Sequence, residues 1–146
     1  MEINAAIEIL NDLKKNSIEE KNIKYSEKFL RVLNELKLKN YDENLLNKIN
    51  NELSIIFKNF EIQKLNINVK DELRTFLKFL KSEFSIIVPN YNFYIGITIG
   101  AVFSVFLGII SMLAGIAICG LIGYLLDRKA EKEGRYLKTE LDSFIC

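Results

Sequence analysis

A run of 43 residues without a charged side chain, from Phe84 to Leu126, constrains the fold of this chain more than any other feature. One helix needs about 20 apolar residues to cross a bilayer, so the run is roughly twice the length of one crossing. A break inside the run is therefore expected. Because glycine costs about 1 kcal/mol in a helix interior and adopts turn geometry readily, the candidates are Gly108 with Ser111, and Gly115. We favour a turn near Gly108 to Ser111.

The predicted structure of the run is an antiparallel helical hairpin. Its arms are Tyr94 to Leu107 and Met112 to Leu126, of 14 and 15 residues. At 1.5 Å per residue they span roughly 21 to 23 Å, which is less than the hydrocarbon core of about 30 Å. Gly96 and Gly100 form a GxxxG pattern, which lets helix backbones approach closely. The other glycines of the run are Gly108, Gly115, Gly120 and Gly123.

Basic residues flank the run on both sides. Lys78 and Lys81 precede it, and Arg128 and Lys129 follow it. Basic flanks favour the cytoplasmic side of a membrane, so a hairpin with both ends on one side fits better than a single crossing. Tyr94 is predicted to be an aromatic anchor at the interface; in a soluble fold it would be a partly buried tyrosine.

The preceding polar part of the chain has helical periodicity, with 15 basic and 14 acidic residues in 1–83. We predict an all-α fold with four, or five, amphipathic helices before the hairpin, whose apolar stripes form a core; membrane-surface helices would need a more one-sided distribution of charge. The predicted helices cover about Ala5 to Lys15, a stretch from a capping box at Ser17 to Leu38, a helix capped by Asp42, and 68–84.

Composition excludes several classes of function. A net charge of +1 does not indicate a nucleic-acid surface. The chain has no histidine, and its cysteines, Cys119 and Cys146, have no metal-ligand spacing. No phosphate-binding loop, HExxH or nucleophile elbow occurs, so we expect neither an enzyme nor a cofactor or metal site. The start carries Glu2 and Glu8 without a basic flank, so we expect no secretory signal.

Two motifs carry a resemblance to a known family. "VFSVFLG" at Val102 to Gly108, followed by Gly115 and by "GYLLD" at Gly123 to Asp127, resembles the hydrophobic hairpin near the C-terminus of the channel-forming colicins. The resemblance covers about residues 92 to 140. We predict that the membrane-inserting hairpin includes Gly96, Gly100, Val102, Phe103, Ser104, Gly108, Ser111, Gly115, Gly120, Gly123 and Leu126, with Lys78, Lys81, Tyr94, Asp127, Arg128 and Lys129 at its interface and flanks.

The resemblance implies one pore-forming domain, with an amphipathic region 1–91, a hairpin 92–126 and a charged amphipathic tail 127–146. Such a bacteriocin is a soluble helical bundle that inserts its hairpin into a bacterial inner membrane, opens an ion channel and depolarises the cell. A cognate immunity protein would protect the producer. In this reading the fourth helix and the tail contribute to the conduction path, and Asp127 and Glu131 either sense acidity or form a solvated helix start.

Two alternatives remain open. About eight helices are needed to surround a two-helix hairpin, and this chain supplies fewer, so part of the hairpin should need a partner, a second copy or lipid. One alternative is therefore a permanent two-helix membrane protein, holin-like or immunity-like, with a cytoplasmic helical domain. The other is a non-enzymatic helical interaction module with the hairpin as its core.

Overall fold

The structure, a computed structural model, describes residues 1–39, 41–62, 67–107 and 109–139; for residues 59, 61, 62, 103–107 and 109–112 it describes the backbone alone. The predicted all-α class is confirmed: these ranges contain six α-helices and no β-strand. They form two compact units, Met1–Phe84 and residues 85–139. The helices are α1 (Ile3–Asn16), α2 (Glu20–Leu38), α3 (Glu43–Ile62), α4 (Val69–Phe84), α5 (Tyr91–Leu107) and α6 (Ile109–Lys132).

The first unit is a bundle of four helices. α2 and α3 each pack against both α1 and α4, so the order around the bundle is α1, α2, α4, α3. Its centre is aromatic: the ring of Phe29 lies 6.0 Å from that of Phe57 and 5.3 Å from that of Phe76, measured between centroids. Since these rings come from α2, α3 and α4, one core holds the three helices together.

The apolar stripes predicted for α2, α3 and α4 are confirmed at their centres. Their buried members are Phe29, Leu33, Leu36, Ile49, Leu53, Ile56, Phe57, Phe60, Leu73, Phe76, Leu77 and Leu80. In α1, Ala6 and Leu10 are fully buried and Ile3 is 8% exposed. Because α1 begins at Ile3, before the predicted start, its buried face includes one residue upstream of that start.

One predicted helix cap is confirmed and one is wrong. Asp42 caps α3, since its Oδ1 accepts a hydrogen bond of 2.7 Å from the backbone N–H of Leu45. Ser17 does not open α2: it ends α1, where its backbone N–H donates to the carbonyl of Leu13 at 2.9 Å. α2 begins at Glu20 without a side-chain cap bond. Only three residues connect α1 to α2, and Ser17 is the one that ends α1.

The second unit consists of α5, α6 and the segments that flank them. α5 begins at Tyr91, after Asn90 with φ of 58°, and α6 begins at Ile109. Ser111, predicted to lie in a turn, is therefore helical; Gly108 lies outside the described residues. The predicted boundary at Leu126 is wrong, because α6 continues to Lys132. Up to residue 139, the tail adds no separate helix.

α6 ends in a Schellman motif. Gly134 has a φ of +72°, its N–H donates to the carbonyl of Glu131 at 3.1 Å, and the N–H of Arg135 donates to the carbonyl of Ala130 at 2.9 Å. This pair of bonds satisfies the last helical carbonyls, and the positive φ favours glycine at that position. The chain direction therefore changes directly after the helix.

Candidate functional site

α5 and α6 pack against each other so closely that glycine is required at three positions. A Cβ atom added to Gly100 would lie 2.7 Å from the carbonyl oxygen of Gly115, too close for any real side chain. Cβ atoms on Gly96 and Gly123 would overlap the carbonyl groups of Cys119 and Asn92. Residues later in α5 contact residues earlier in α6, so the two helices run antiparallel.

Gly120 is buried on the same pair of helices but is not required in this way. A Cβ atom added there would lie 3.5 Å from the nearest atoms of Ile97 and Phe93, at ordinary van der Waals distance. The close approach of the two backbones thus accounts for Gly96, Gly100 and Gly123, and leaves the space beside Gly120 unexplained.

Many of the large apolar side chains of α5 and α6 lie on the outside of the pair. Leu113 is 76% exposed and Leu121 is 62% exposed. In the α1–α4 bundle the large apolar residues form a buried core, apart from exposed residues such as Leu38 and Ile55, whereas the α5–α6 pair has small residues at the contact and many large ones outside. The other exposed members of this outer surface are Tyr94, Ile95, Ile99, Val102, Ile118, Ile122, Tyr124, Leu125 and Leu126.

The two helices differ in length. α5 has 17 residues and α6 has 24, which correspond to about 26 and 36 Å at the rise of an α-helix. Within the described residues, neither of them nor any other helix meets the combined requirement of length and apolar character for crossing a membrane.

Asp127 joins the start of α5 to the last turns of α6. Its Oδ1 and Oδ2 accept hydrogen bonds of 3.0 Å from the backbone N–H groups of Asn92 and Phe93, and the residue is 5% exposed. A helix has no partner of its own for its first N–H groups, and its N-terminus favours negative charge. The expectation of a solvated position is therefore wrong for Asp127, which is turned towards α5, whereas Glu131 is exposed; neither residue lies at a helix start, because α6 has already begun at Ile109.

The segments that enter α5 and leave α6 are also joined. The N–H of Ile87 donates to the carbonyl of Arg135, and the N–H of Leu137 donates to the carbonyl of Ile87, both at 2.9 Å. Arg135 Nη1 donates to the carbonyl of Ser85 at 3.1 Å. We call Asp127 together with residues 85–88 and 135–137 the clasp. Its buried apolar side chains are Ile86, Ile87, Val88 and Leu137, with Ala130 of α6.

Tyr136 lies within the clasp. Burial raises the pKa of its hydroxyl, and the negative charges of Asp127 and Glu131 act in the same direction, while a hydrogen bond with the backbone of Asn90 opposes them. The phenol therefore stays protonated to a higher pH than a free tyrosine.

The clasp end of the pair is polar and basic. Arg128 Nε donates to the hydroxyl of Tyr124 at 2.9 Å, and the guanidinium carbon lies 5.3 Å from the centre of that ring. Lys129 is exposed, with its ammonium 4.0 Å from a carboxylate oxygen of Glu133. Tyr94, 46% exposed, lies one turn into α5. Cations and tyrosines thus occupy the end at which the chain both enters and leaves the helix pair.

The structure brings together part of the predicted site. Gly96, Gly100, Gly115, Gly120 and Gly123 lie along the α5–α6 contact, whereas Val102 and Leu126 are exposed. Lys78 and Lys81 are exposed on α4. For Phe103, Ser104 and Ser111 the structure describes the backbone alone. The sequence analysis did not predict the contacts of Ile87, Asn92 and Leu137. The one signal in the sequence is Gly134, which follows a basic helix end and indicates the change of chain direction that brings these residues together.

No metal site is formed by the residues in the described ranges, which hold no group of three or more candidate metal ligands. The sequence matches no protein-family model and no curated protein, and the fold matches no solved structure.

Proposed function

We propose that α5 and α6 form a membrane-embedded helical hairpin that permanently anchors the α1–α4 bundle at a membrane surface. The protein would then be a small resident membrane protein of the holin-like or immunity-like kind. The observation that carries this proposal is the reversed packing of the pair, with Gly96 and Gly100 at the helix contact and residues such as Leu113 and Leu121 outside. Small residues at the contact are typical of helices that associate in lipid.

Energetics support a lipid environment for the outer surface. Isoleucine, leucine and valine each gain about 0.3 to 0.6 kcal/mol at the centre of an inserting helix, and the exposed set consists mostly of isoleucines and leucines, with Val102. In water, a continuous apolar surface of this kind marks a site of interaction with a membrane or a partner. Because both helices contribute, the hydrocarbon would surround the pair.

The clasp supports both the depth and the direction of insertion. Asp127 occupies the N–H groups of Asn92 and Phe93, so the first turn of α5 has partners where the bilayer offers few. Arg128 and Lys129 lie at the same end, and basic residues favour the cytoplasmic side. Tyrosines concentrate at the membrane interface, and Tyr124 lies one turn before Arg128. We therefore assign the clasp, with the bundle that precedes it, to the cytoplasmic face.

The helix lengths are compatible with a hairpin that enters a bilayer deeply. α5 is about 26 Å long, and the uncharged part of α6, residues 109–126, is about 27 Å. The hydrocarbon core is about 30 Å thick, and each Å of mismatch costs a fraction of a kcal/mol. Local thinning of the bilayer would remove the difference.

A second candidate is the colicin-like pore-former, in which the hairpin inserts from a soluble bundle, opens a channel and is countered by an immunity protein. The motifs at Val102–Gly108 and Gly123–Asp127, and the amphipathic α4 with its exposed Lys78 and Lys81, support it. In that mechanism the apolar arms are covered before insertion. The exposure of Leu113 and Leu121, and the filling of the bundle core by its own aromatic rings, favour the resident anchor.

Membrane extraction of the full chain tests the proposal. After expression in bacteria, membranes are washed at alkaline pH, and we expect the chain to stay in the pellet. Leu113→Asp should move it to the supernatant, because a carboxylate inside a bilayer costs about 3 kcal/mol on insertion scales. Ile18→Asp is the matched control: Ile18 is 98% exposed but lies between α1 and α2. Release of the unmodified chain by the wash would overturn the anchor.

The same preparations separate the two candidates. A resident anchor adds no conductance to a planar bilayer when applied in detergent-free buffer, since it does not exist as a dispersed species. A colicin-like protein would be recovered as a defined monomer without detergent and would give voltage-dependent current. That pair of results would favour the pore-former over the anchor.

A further inference from the structure

An apolar groove runs along one face of the α5–α6 pair towards the clasp. Its volume is about 310 Å³. Gly120, which is buried, forms part of its wall, and this is the one glycine of the pair described above as leaving room for a Cβ. The residues that line the groove are Phe93, Ile97, Ile116, Ala117, Gly120, Leu121 and Tyr124.

The close packing of the two backbones does not require glycine at position 120, so it does not explain the space beside this residue. At Gly100 the neighbouring helix fills the position of a side chain, whereas at Gly120 a methyl group would have only ordinary contacts with Ile97 and Phe93. The concave surface extends over residues 116 to 124 of α6, about 12 Å at the helical rise. It is apolar throughout, apart from the hydroxyl of Tyr124, and suits a hydrocarbon chain.

A cation stands at the end of the groove nearer the clasp. The Nε–H of Arg128 donates to the hydroxyl of Tyr124, which lines the groove. This bond uses one of the five N–H donors of the guanidinium, and the fork of the others matches a phosphate. Apolar groove and guanidinium therefore follow each other along α6 in the order in which a phospholipid presents its acyl chain and its phosphate.

We infer that this groove binds one anionic phospholipid, with an acyl chain beside Gly120 and Ala117 and the headgroup phosphate at Arg128. The inference rests on the proposed membrane anchor and specifies its lipid partner. Apolar area alone would accept any lipid. The preference for a net negative headgroup comes from Arg128, with Lys129 on the same helical end and exposed.

Native mass spectrometry of the detergent-purified full chain tests this with dioleoyl phosphatidylglycerol and dioleoyl phosphatidylcholine, which have the same acyl chains. We expect one bound lipid per chain and about a tenfold preference for phosphatidylglycerol, the factor expected of one charge-assisted contact. Ala117→Leu should reduce retention of both lipids, because it fills the groove. Arg128→Gln should remove the preference by reducing retention of phosphatidylglycerol more than that of phosphatidylcholine, because the choline of the latter already offsets its phosphate charge.

Two matched controls accompany these variants. Ala114→Leu adds the same volume to an exposed position of α6 that does not line the groove, and Arg31→Gln removes the same charge from α2. Both should behave as the unmodified chain. Equal retention of the two lipids by the unmodified chain, or an unchanged preference in Arg128→Gln, would overturn the inference. So would a dimer that Ala117→Leu dissociates, since it would assign the groove to a second copy.

Alkaline extraction of the same variants distinguishes failure of this inference from failure of the anchor. If the chain stays in the membrane pellet but shows no lipid preference, the proposed anchor is supported and the proposed lipid site is contradicted. If the unmodified chain leaves the pellet, both the anchor and the lipid site are contradicted.

Discussion

Asp127 Oδ1 accepts a hydrogen bond of 3.0 Å from the backbone N–H of Asn92, 35 positions earlier in the chain. The second oxygen does the same for Phe93. One carboxylate of α6 thereby caps the helix with which α6 packs, so the start of α5 and the charged end of α6 are fixed relative to each other.

Replacement of this carboxylate should destabilise the helix pair. We expect Asp127→Ala to lower the free energy of unfolding by about 1.5 to 3 kcal/mol, the range for hydrogen bonds to a charged group. Asp127→Asn keeps one acceptor oxygen and should lose less. Denaturant unfolding of the full chain in detergent, with hydrogen exchange of the Asn92 and Phe93 amides, measures both. Glu131→Ala, an exposed change on the same helix, is the control, and an equal loss in that variant would contradict the cap.

Alanine at two glycines should have opposite effects. Gly100→Ala places a methyl group against the Gly115 carbonyl and should cost about 1 to 3 kcal/mol, as overpacking does. Gly120→Ala meets only ordinary contacts and should be neutral or stabilise by up to about 1 kcal/mol, because alanine is the better helix former. Thermal unfolding of the two variants in the same detergent provides the comparison. A loss of similar size at both positions would be the contrary result.

Local signals in the sequence predicted the bundle well. The spacing of Ile49, Leu53 and Phe60 identifies the buried face of α3 because one helix face repeats every three or four residues. Asp42 is a cap whose partner lies three residues away, so both members are visible together. Ser17 had the same local pattern and failed, because the short connection to α2 required it at the end of α1.

The second unit was less predictable because its decisive contacts are distant in sequence. Hydropathy placed the end of the helix at Leu126, whereas the helix formers that follow and the absence of a breaker before Gly134 carry α6 to Lys132. From the sequence, Asp127 is expected to be solvated, since none of its neighbours in the chain indicates that Asn92 lies close to it in the fold. Gly100 and Gly120 look alike in the sequence, and only the facing backbone distinguishes them.

Tyr41 should make the stability of the bundle depend on pH in the alkaline range. Burial raises the pKa of Tyr41 to about 12, and the charge of Glu35 adds to the effect. An unfolded tyrosine has a pKa of about 10, so the folded state holds its proton longer. The stabilising contribution is complete below pH 10 and is lost as the pH rises towards 12.

Tyr41→Phe tests this dependence. The Tyr41 hydroxyl has no hydrogen-bond partner among the described residues, so its removal should change stability at pH 7 by less than about 1 kcal/mol. Between pH 10 and 12 the variant should lose less stability than the unmodified chain. The measurement is denaturant unfolding at pH 8 and pH 11.5, and parallel losses in the two proteins would count against the assignment.

Phe29 should be the most sensitive position of the bundle, because its fully buried ring meets those of Phe57 and Phe76. We expect Phe29→Ala to lower the free energy of unfolding by about 3 to 5 kcal/mol through loss of apolar contact and creation of a cavity. Phe29→Leu keeps most of the volume and should lose less. Hydrogen exchange of the full chain in detergent measures the protection of the backbone amides of α2 and α5 in one experiment. The amides of α2 should lose protection and those of α5 should keep it, since each unit has its own packed interior; equal loss in both helices would show that the two units unfold together.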